Sequence, residues 1–298
     1  MKNSRCENLP LTAKDGGFAF GLMIIVYLFT SFIGQAIALA LFENGSLGYI
    51  VVSSLLAPLS IVAVKVYFTV AKKCNYLKMC KVEKFNPIFS LSAVLLSAGM
   101  FLGLGFVNGA FAELLRKANL NVSGIVLPLE NVGHLILFSI LFALIPAVVE
   151  ELFFRGLLLT TLGAIKTIFV VVYISVSFAL YHCSLTQFIY QLIYGAGLTL
   201  LALSAKSVLP CVLAHFINNF AVILLEYLKV NVDLFNPIFI AIGLILLVAF
   251  ALMILFALKK KEKVAQQEQK SALKFYLPFG AFGTVICLLL IITNLFAV

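Results

Sequence analysis

The chain has 298 residues, of which 63% are hydrophobic and 11% are charged, with a formal net charge of +9. Soluble domains carry about 25% charged residues, so this composition excludes a soluble globular protein and indicates a membrane protein with several spans. The basic residues lie in short segments between apolar runs, a pattern typical of cytoplasmic loops and not of a nucleic-acid-binding surface. We therefore expect an all-α bundle of eight or nine transmembrane helices, embedded in a lipid bilayer and enclosing a buried polar site.

Crossing the hydrocarbon core of a bilayer takes about 20 apolar residues. By that measure the predicted spans are 17–42, 47–70, 88–108, 133–163, 166–184, 187–204, 208–228, 237–258 and 275–296. Lysines cluster after the second and eighth of these runs, in 72–84 and 259–274. The excess of Lys and Arg in cytoplasmic loops then predicts a cytoplasmic N-terminus, an external segment at 109–132 and a cytoplasmic connector at 259–274.

The polar residues inside the spans divide the chain into three parts. Residues 1–132 hold the N-terminal spans and loops, and residues 229–298 hold the C-terminal spans with their basic connector. Residues 133–228 carry the charged and imidazole side chains that lie within apolar runs, so this middle part is the predicted catalytic core.

Two adjacent carboxylates, Glu150 and Glu151, lie in the middle of the fourth run. A charge at the bilayer centre costs roughly 2.5–3.5 kcal/mol, so such residues usually face the bundle interior and have a function. Glu151 and Arg155 share one helix face and are expected to pair, whereas Glu150 points about 100° away and has no local counter-charge. A structural ion pair or a proton relay would explain the same residues. Pro146 either kinks the helix before the carboxylates or is simply tolerated, as in many membrane helices.

Two imidazoles follow, His182 at the end of the fifth run and His215 in the seventh, where Asn219 shares its helix face. In a hairpin of the fourth and fifth runs, Glu150 lies about fourteen residues before the turn and His182 about sixteen after it, at nearly one depth. The predicted depth of His215 agrees less well with that of Glu150. His215 lies about 12 Å along its helix from the end of its span, and Glu150 about 21 Å from the turn that ends its own. Considered alone, His182 is typical of an interfacial residue. His215 and Asn219 are typical of a polar contact that holds two helices together. Together with the carboxylates they suit the activation of water, directly or through a bound metal.

The ordered set resembles the three motifs of the CPBP family, which comprises CAAX prenyl endopeptidases and bacterial bacteriocin-processing and self-immunity proteins. The residues that carry the resemblance are Glu150-Glu151-x-x-x-Arg155, Phe178-x-x-x-His182 and His215-x-x-x-Asn219. It covers about a third of the chain, 133–228, and implies an intramembrane endopeptidase.

The resemblance also implies roles for these residues. Glu150 and His182 would activate the attacking water, while His215 and Asn219 would stabilise the oxyanion or complete a metal site. Glu151, Arg155 and Phe178 would support this set. Glu150, His182 and His215 are also the ligand types of a zinc site, so a zinc-dependent and a metal-free glutamate mechanism both remain open.

The substrate implied is either a prenylated CAAX-like protein or a bacterial peptide precursor or bacteriocin-type peptide, cleaved near the membrane surface. The lysine-rich, phenylalanine-rich and tryptophan-free composition favours the bacterial substrates and a bacterial plasma membrane. Two other classes would use the same polar residues: a proton-coupled transporter, and a non-catalytic immunity or scaffold protein that binds a peptide.

Overall fold

The computed structural model describes residues 12–56, 58–72, 75–120, 122, 127–162, 166–259 and 269–296. These residues form helices and connections, without a strand among them. The helices are α1 (Ala13–Leu41), α2 (Leu47–Leu55), α3 (Leu59–Val70), α4 (Tyr76–Met79), α5 (Ile88–Lys117), α6 (Val132–Thr161), α7 (Thr167–Tyr181), α8 (Leu185–Ala205), α9 (Leu209–Tyr227), α10 (Pro237–Lys259) and α11 (Gln269–Phe296). The predicted all-α fold is confirmed.

Seven helical segments in the described part of the chain are long and apolar enough to cross a membrane. They are α1, the α2–α3 pair, α5, α6, α8, α9 and α10. The other two predicted spans correspond to α7 and to Gly280–Asn294 of α11, which are apolar but shorter. All nine predicted runs are therefore helical, and seven of them reach full membrane length.

Two predicted runs differ in their extent from the helices of the structure. The run 47–70 is broken into α2 and α3 ahead of Leu59, where Pro58 lacks the N–H that a continuous helix would need. Helix α5 continues to Lys117, beyond the predicted end at 108, because 109–117 is rich in helix-forming residues. The predicted cytoplasmic connector at 259–274 lies mostly outside the described residues.

Helix α6 changes its winding on both sides of the carboxylates. Ser139–Leu144 and Leu152–Leu158 are wound as π-helix, and Ile145–Glu151 between them is α-helical. Such π-helical turns are rare and often occur at functional sites. Pro146 has no N–H, so a regular α-helix could not bond the carbonyl of Phe142, four residues earlier. The helix around Pro146 is therefore irregular, with a wider winding on either side of the Glu150–Glu151 turn.

The helices that carry the three motifs, α6, α7 and α9, are held by their neighbours. Helix α7 packs along α8, and α9 packs against both α5 and α6. The largest apolar core lies among these helices and contains Phe153, Phe154, Phe178, Tyr194 and Leu198, all almost fully buried. The polar side chains of the motifs thus lie inside the bundle and not at its lipid-facing surface.

The segment after α4 joins two of these helices at one end of the bundle. The Cys80 thiol donates to the carbonyl of Leu152 in α6 at 3.2 Å. The Ser207 hydroxyl, just before α9, donates to the carbonyl of Glu83 at 2.7 Å. The lysine-containing loop and the start of α9 therefore lie at the same end, as alternating spans require.

A close helix crossing gives a first test of this packing. Gly103 of α5 and Gly243 of α10 meet so closely that a Cβ on Gly243 would overlap the backbone of Gly103. We expect Gly243→Ala to cost about 1–3 kcal/mol of stability, because backbone atoms have to move apart. The measurement is the midpoint of thermal unfolding in detergent.

The matched control is Gly109→Ala, also on α5, where the added Cβ would meet only the Phe235 ring at 3.4 Å. This is an ordinary van der Waals distance, and alanine favours the helix. Equal unfolding midpoints for the two variants would contradict the close backbone approach of α5 and α10 at Gly103 and Gly243.

Candidate active site

The innermost charges of the bundle form an ion pair within α6. Arg155 Nη1 donates to Glu151 Oε1 at 2.7 Å, and both side chains are 0% exposed. The pair predicted from the four-residue spacing is confirmed. Since a buried charge is costly without a partner, each residue makes the burial of the other tolerable.

Arg155 also reaches two neighbouring helices. Its Nη2 donates to the carbonyl of Gly195 in α8 at 3.2 Å, and its guanidinium lies 4.2 Å from the ring centroid of Phe178 in α7. A cation over an aromatic face is attracted by the negative charge of that face. A Cβ on Gly195 would lie 3.2 Å from the Phe178 ring and 3.4 Å from Arg155 Nη2, so the absence of a side chain lets the three groups meet.

His215 of α9 binds the same carboxylate. Its Nδ1 lies 2.9 Å from Glu151 Oε1. An ionised carboxylate only accepts hydrogen bonds, so Nδ1 donates, and Nε2 of the neutral ring carries the lone pair. The sequence predicted different depths for His215 and the carboxylates, yet the side chains of His215 and Glu151 are in contact. His215 is hydrogen-bonded to Glu151, while the prediction had grouped it with Glu150.

His182, directly after α7, has its tautomer set by the backbone. Its Nδ1 lies 2.8 Å from the carbonyl oxygen of Phe178. A carbonyl only accepts, so Nδ1 carries the proton and Nε2 is the free lone pair. His182 is half-buried, whereas His215 is 3% exposed.

The ring of Phe178 is the point at which the three motifs meet. Its centroid lies 4.7 Å from that of His182 and 5.8 Å from that of His215, with both imidazoles edge-on. Arg155 lies over the same ring. The structure therefore brings the second and third motifs to the arginine of the first, around one aromatic side chain.

Glu150 differs from Glu151 in its contacts. It is 8% exposed, and its Oε2 has no hydrogen-bond partner among the described residues. It lies within electrostatic range of His215, Glu151 and Arg155, and also of Tyr181, the residue before His182. Glu150 is thus the buried carboxylate without an ion-pair contact, as expected from its direction on the helix.

Asn219 bonds to the backbone of α6. Its Nδ2 donates to the carbonyl of Phe142 at 3.2 Å. The neighbouring Asn218 is 7% exposed and accepts a hydrogen bond from the Tyr190 hydroxyl at 2.7 Å. The sequence could have indicated the Phe142 carbonyl, since Pro146 four residues later removes its usual donor. No comparable signal exists for Tyr190 or for the Gly195 carbonyl.

The predicted zinc ligands would have to lie close together to share one metal ion. Within the described ranges, no three His, Cys, Asp or Glu side chains are arranged to hold a metal ion. Glu150, His182 and His215 therefore do not fit a zinc site in this arrangement. The third histidine, His134, accepts a hydrogen bond from the Glu130 backbone at the start of α6 and takes no part in the site.

Comparison with known proteins gave one match. Residues 132–221 match the family model described as Rce1-like, type II CAAX prenyl endopeptidase. The matched segment starts at the first residue of α6 and ends within α9, so it contains all three motifs and confirms the predicted family resemblance. No similar curated protein and no similar solved structure was found.

The buried ion pair makes a prediction about stability. Arg155→Met keeps a side chain of similar length but leaves Glu151 buried with only His215 as its partner. We expect a loss of about 3–5 kcal/mol, because an uncompensated buried charge is strongly destabilising. Thermal unfolding in detergent provides the measurement.

Arg116→Met is the matched control. Arg116 pairs with Glu113 at the same 2.7 Å, but these side chains are 59% and 54% exposed. Breaking an exposed pair should change stability by less than about 1 kcal/mol. A similar shift in both variants would show that the charge of Glu151 is compensated by another group when Arg155 is removed.

Proposed function

Because the segment 132–221 belongs to the Rce1-like family of type II CAAX prenyl endopeptidases, we propose that this multi-pass membrane protein is an intramembrane endopeptidase. The observation that carries the proposal is the contrast between its two adjacent glutamates. Oε1 of Glu151 is engaged by both Arg155 and His215, while Glu150 has no ion-pair partner among the described residues. Oε2 of each carboxylate is buried without a hydrogen-bond partner there.

In this proposal Glu150 and His182 activate the attacking water. A carboxylate with an unengaged oxygen can accept a proton from water, and the Nε2 lone pair of His182 can accept the second hydrogen bond. The water oxygen attacks the carbonyl carbon of the scissile peptide bond, and its proton passes to Glu150. The C–N bond then breaks, and the amine leaves with that proton, which regenerates the carboxylate.

His215 and Asn219 serve the oxygen on which negative charge develops. Since Nδ1 of His215 is held by Glu151, its Nε2 is the nitrogen left for other groups. In the imidazolium form both ring nitrogens carry a proton, and Nε2–H would donate to the oxyanion. The amide of Asn219, one turn further along α9, would supply a second donor. Arg155 and Phe178 hold Glu151 and the two imidazoles in place and do not contact the reacting atoms.

The proposed substrate is a peptide that enters from the membrane. The bundle exposes many large apolar side chains, as on α10, so a lipid-associated peptide could reach it without leaving the bilayer. We propose two substrate classes, bacterial peptide precursors or bacteriocin-type peptides, and prenylated proteins that end in Cys-a-a-X. We also propose a bacterial plasma membrane location, on the basis of the composition, and a cytoplasmic N-terminus, on the basis of the lysine clusters.

The first test removes the proposed base. Glu150→Gln preserves shape but cannot accept a proton, so cleavage should fall by at least about 10²-fold. Product formation is measured by mass spectrometry, with purified protein in liposomes. The peptides are a farnesylated peptide ending in Cys-a-a-X and an unprenylated membrane-embedded precursor.

Glu113→Gln serves as its control, since Glu113 lies in the exposed pair near the end of α5. It should cleave at the wild-type rate. Wild-type cleavage by Glu150→Gln would refute the assignment of the base. Proton-gradient-dependent peptide uptake without any product would indicate a transporter, and binding without cleavage would indicate a scaffold or immunity protein.

A second test concerns metal dependence. Since the described side chains do not form a metal-ligand set, we propose that Glu150 acts without a metal. Treatment with 1,10-phenanthroline, followed by removal of the chelator, should leave the cleavage rate unchanged within about twofold. Loss of activity that returns on addition of Zn²⁺ would contradict the metal-free mechanism.

A further inference from the structure

The carbonyl of Phe142 lies one helical turn before Pro146. In an α-helix this carbonyl would accept from the N–H of residue 146, which is a proline and has none. Asn219 supplies the missing donor, with its Nδ2 at 3.2 Å. An unpaired carbonyl is costly inside a membrane protein, so this bond also joins α9 to α6 directly ahead of the carboxylates.

The Asn219 amide is linked to α8 through Asn218. The Tyr190 hydroxyl donates to Asn218 Oδ1 at 2.7 Å. Asn218 Nδ2 donates in turn to Asn219 Oδ1 at 3.3 Å. Tyr190 and Asn218 are 6% and 7% exposed, so water competes little for these groups.

The three bonds run in one direction, because an amide oxygen cannot donate and an amide nitrogen cannot accept. The Phe142 carbonyl can only accept, so it requires Nδ2 of Asn219 to face α6 and Oδ1 to face Asn218. Asn218 Nδ2 donates to that oxygen, so Asn218 Oδ1 faces Tyr190 and accepts from its hydroxyl. That nitrogen carries two hydrogens, and only the bond to Phe142 uses one of them among the described residues.

We propose that Tyr190 is a positioning residue of the active site, which acts through Asn218 to hold the Asn219 amide so that its second N–H is free for the oxyanion. This inference rests on the proposed endopeptidase function and adds a residue that lies outside the three motifs. Tyr190 does not touch the reacting atoms. Its hydroxyl satisfies Asn218 Oδ1 and keeps Asn218 Nδ2 directed at Asn219 Oδ1. This restrains the Asn219 side chain in the orientation that the Phe142 carbonyl requires.

The test is a double-mutant cycle on cleavage of the farnesylated Cys-a-a-X peptide and the unprenylated precursor by the full-length protein. Tyr190→Phe should lower kcat by about tenfold, the effect of one directing hydrogen bond, and leave KM unchanged within about twofold. In an Asn219→Ala background it should have almost no further effect, because its target is gone. Asn218→Asp, which keeps the shape but removes the donor to Asn219, should reproduce the loss.

Tyr194→Phe is the matched control. Tyr194 lies one turn further along α8, is 1% exposed, and its hydroxyl is 3.3 Å from that of Ser97, outside the relay. Its effect on kcat, whatever its size, should multiply with that of Asn219→Ala. Thermal unfolding midpoints of all variants separate a loss of fold from a loss of rate.

Equal effects of Tyr190→Phe in the wild-type and Asn219→Ala backgrounds would overturn the positioning role and leave the endopeptidase function standing. A change in KM alone would do the same. Absence of cleavage of both peptides by the folded wild-type protein would instead overturn the proposed function, and this inference with it.

Discussion

The structure depends on one buried carboxylate. Glu151 Oε1 accepts hydrogen bonds from Arg155 and from His215, and no side chain of this group is more than 3% exposed. In an apolar bundle such a charge is tolerated only while its partners are in place. The interaction therefore fixes α9 against α6, and through Arg155 it also fixes the Gly195 backbone of α8 and the Phe178 ring of α7.

This arrangement explains how two adjacent residues of one type can have different chemistry. Successive helix positions differ by about 100° in direction, so Glu151 faces Arg155 while Glu150 faces away from it. The counter-charge is thereby used by one carboxylate alone. The two imidazoles follow the same logic, because in each ring the Nδ1 proton is committed, one to a carboxylate and one to a carbonyl, which leaves Nε2 available.

Most of the helices and the Glu151–Arg155 pair could be predicted from the sequence, because apolar length and four-residue spacing act locally. Contacts to backbone groups could not, since a carbonyl such as that of Gly195 has no signature in the sequence. Depth was also unreliable for His215. Counting residues assumes a regular rise per residue, and α6 is wound as π-helix on both sides of its carboxylates. Side chains that are several ångströms long then determine which residues come into contact.

The spacing of the third motif has a geometric reason beyond the shared helix face. Helices α9 and α6 run antiparallel, since His215 meets Glu151, Asn219 meets Phe142, and Ile223 lies in one cluster with Phe138. A residue one turn after His215 must therefore face the part of α6 that precedes the carboxylates. That part contains the Phe142 carbonyl, whose donor in a regular α-helix would be residue 146, a proline without an N–H. An amide at this position satisfies the backbone and keeps a second N–H, which a carboxylate or a hydroxyl could not do.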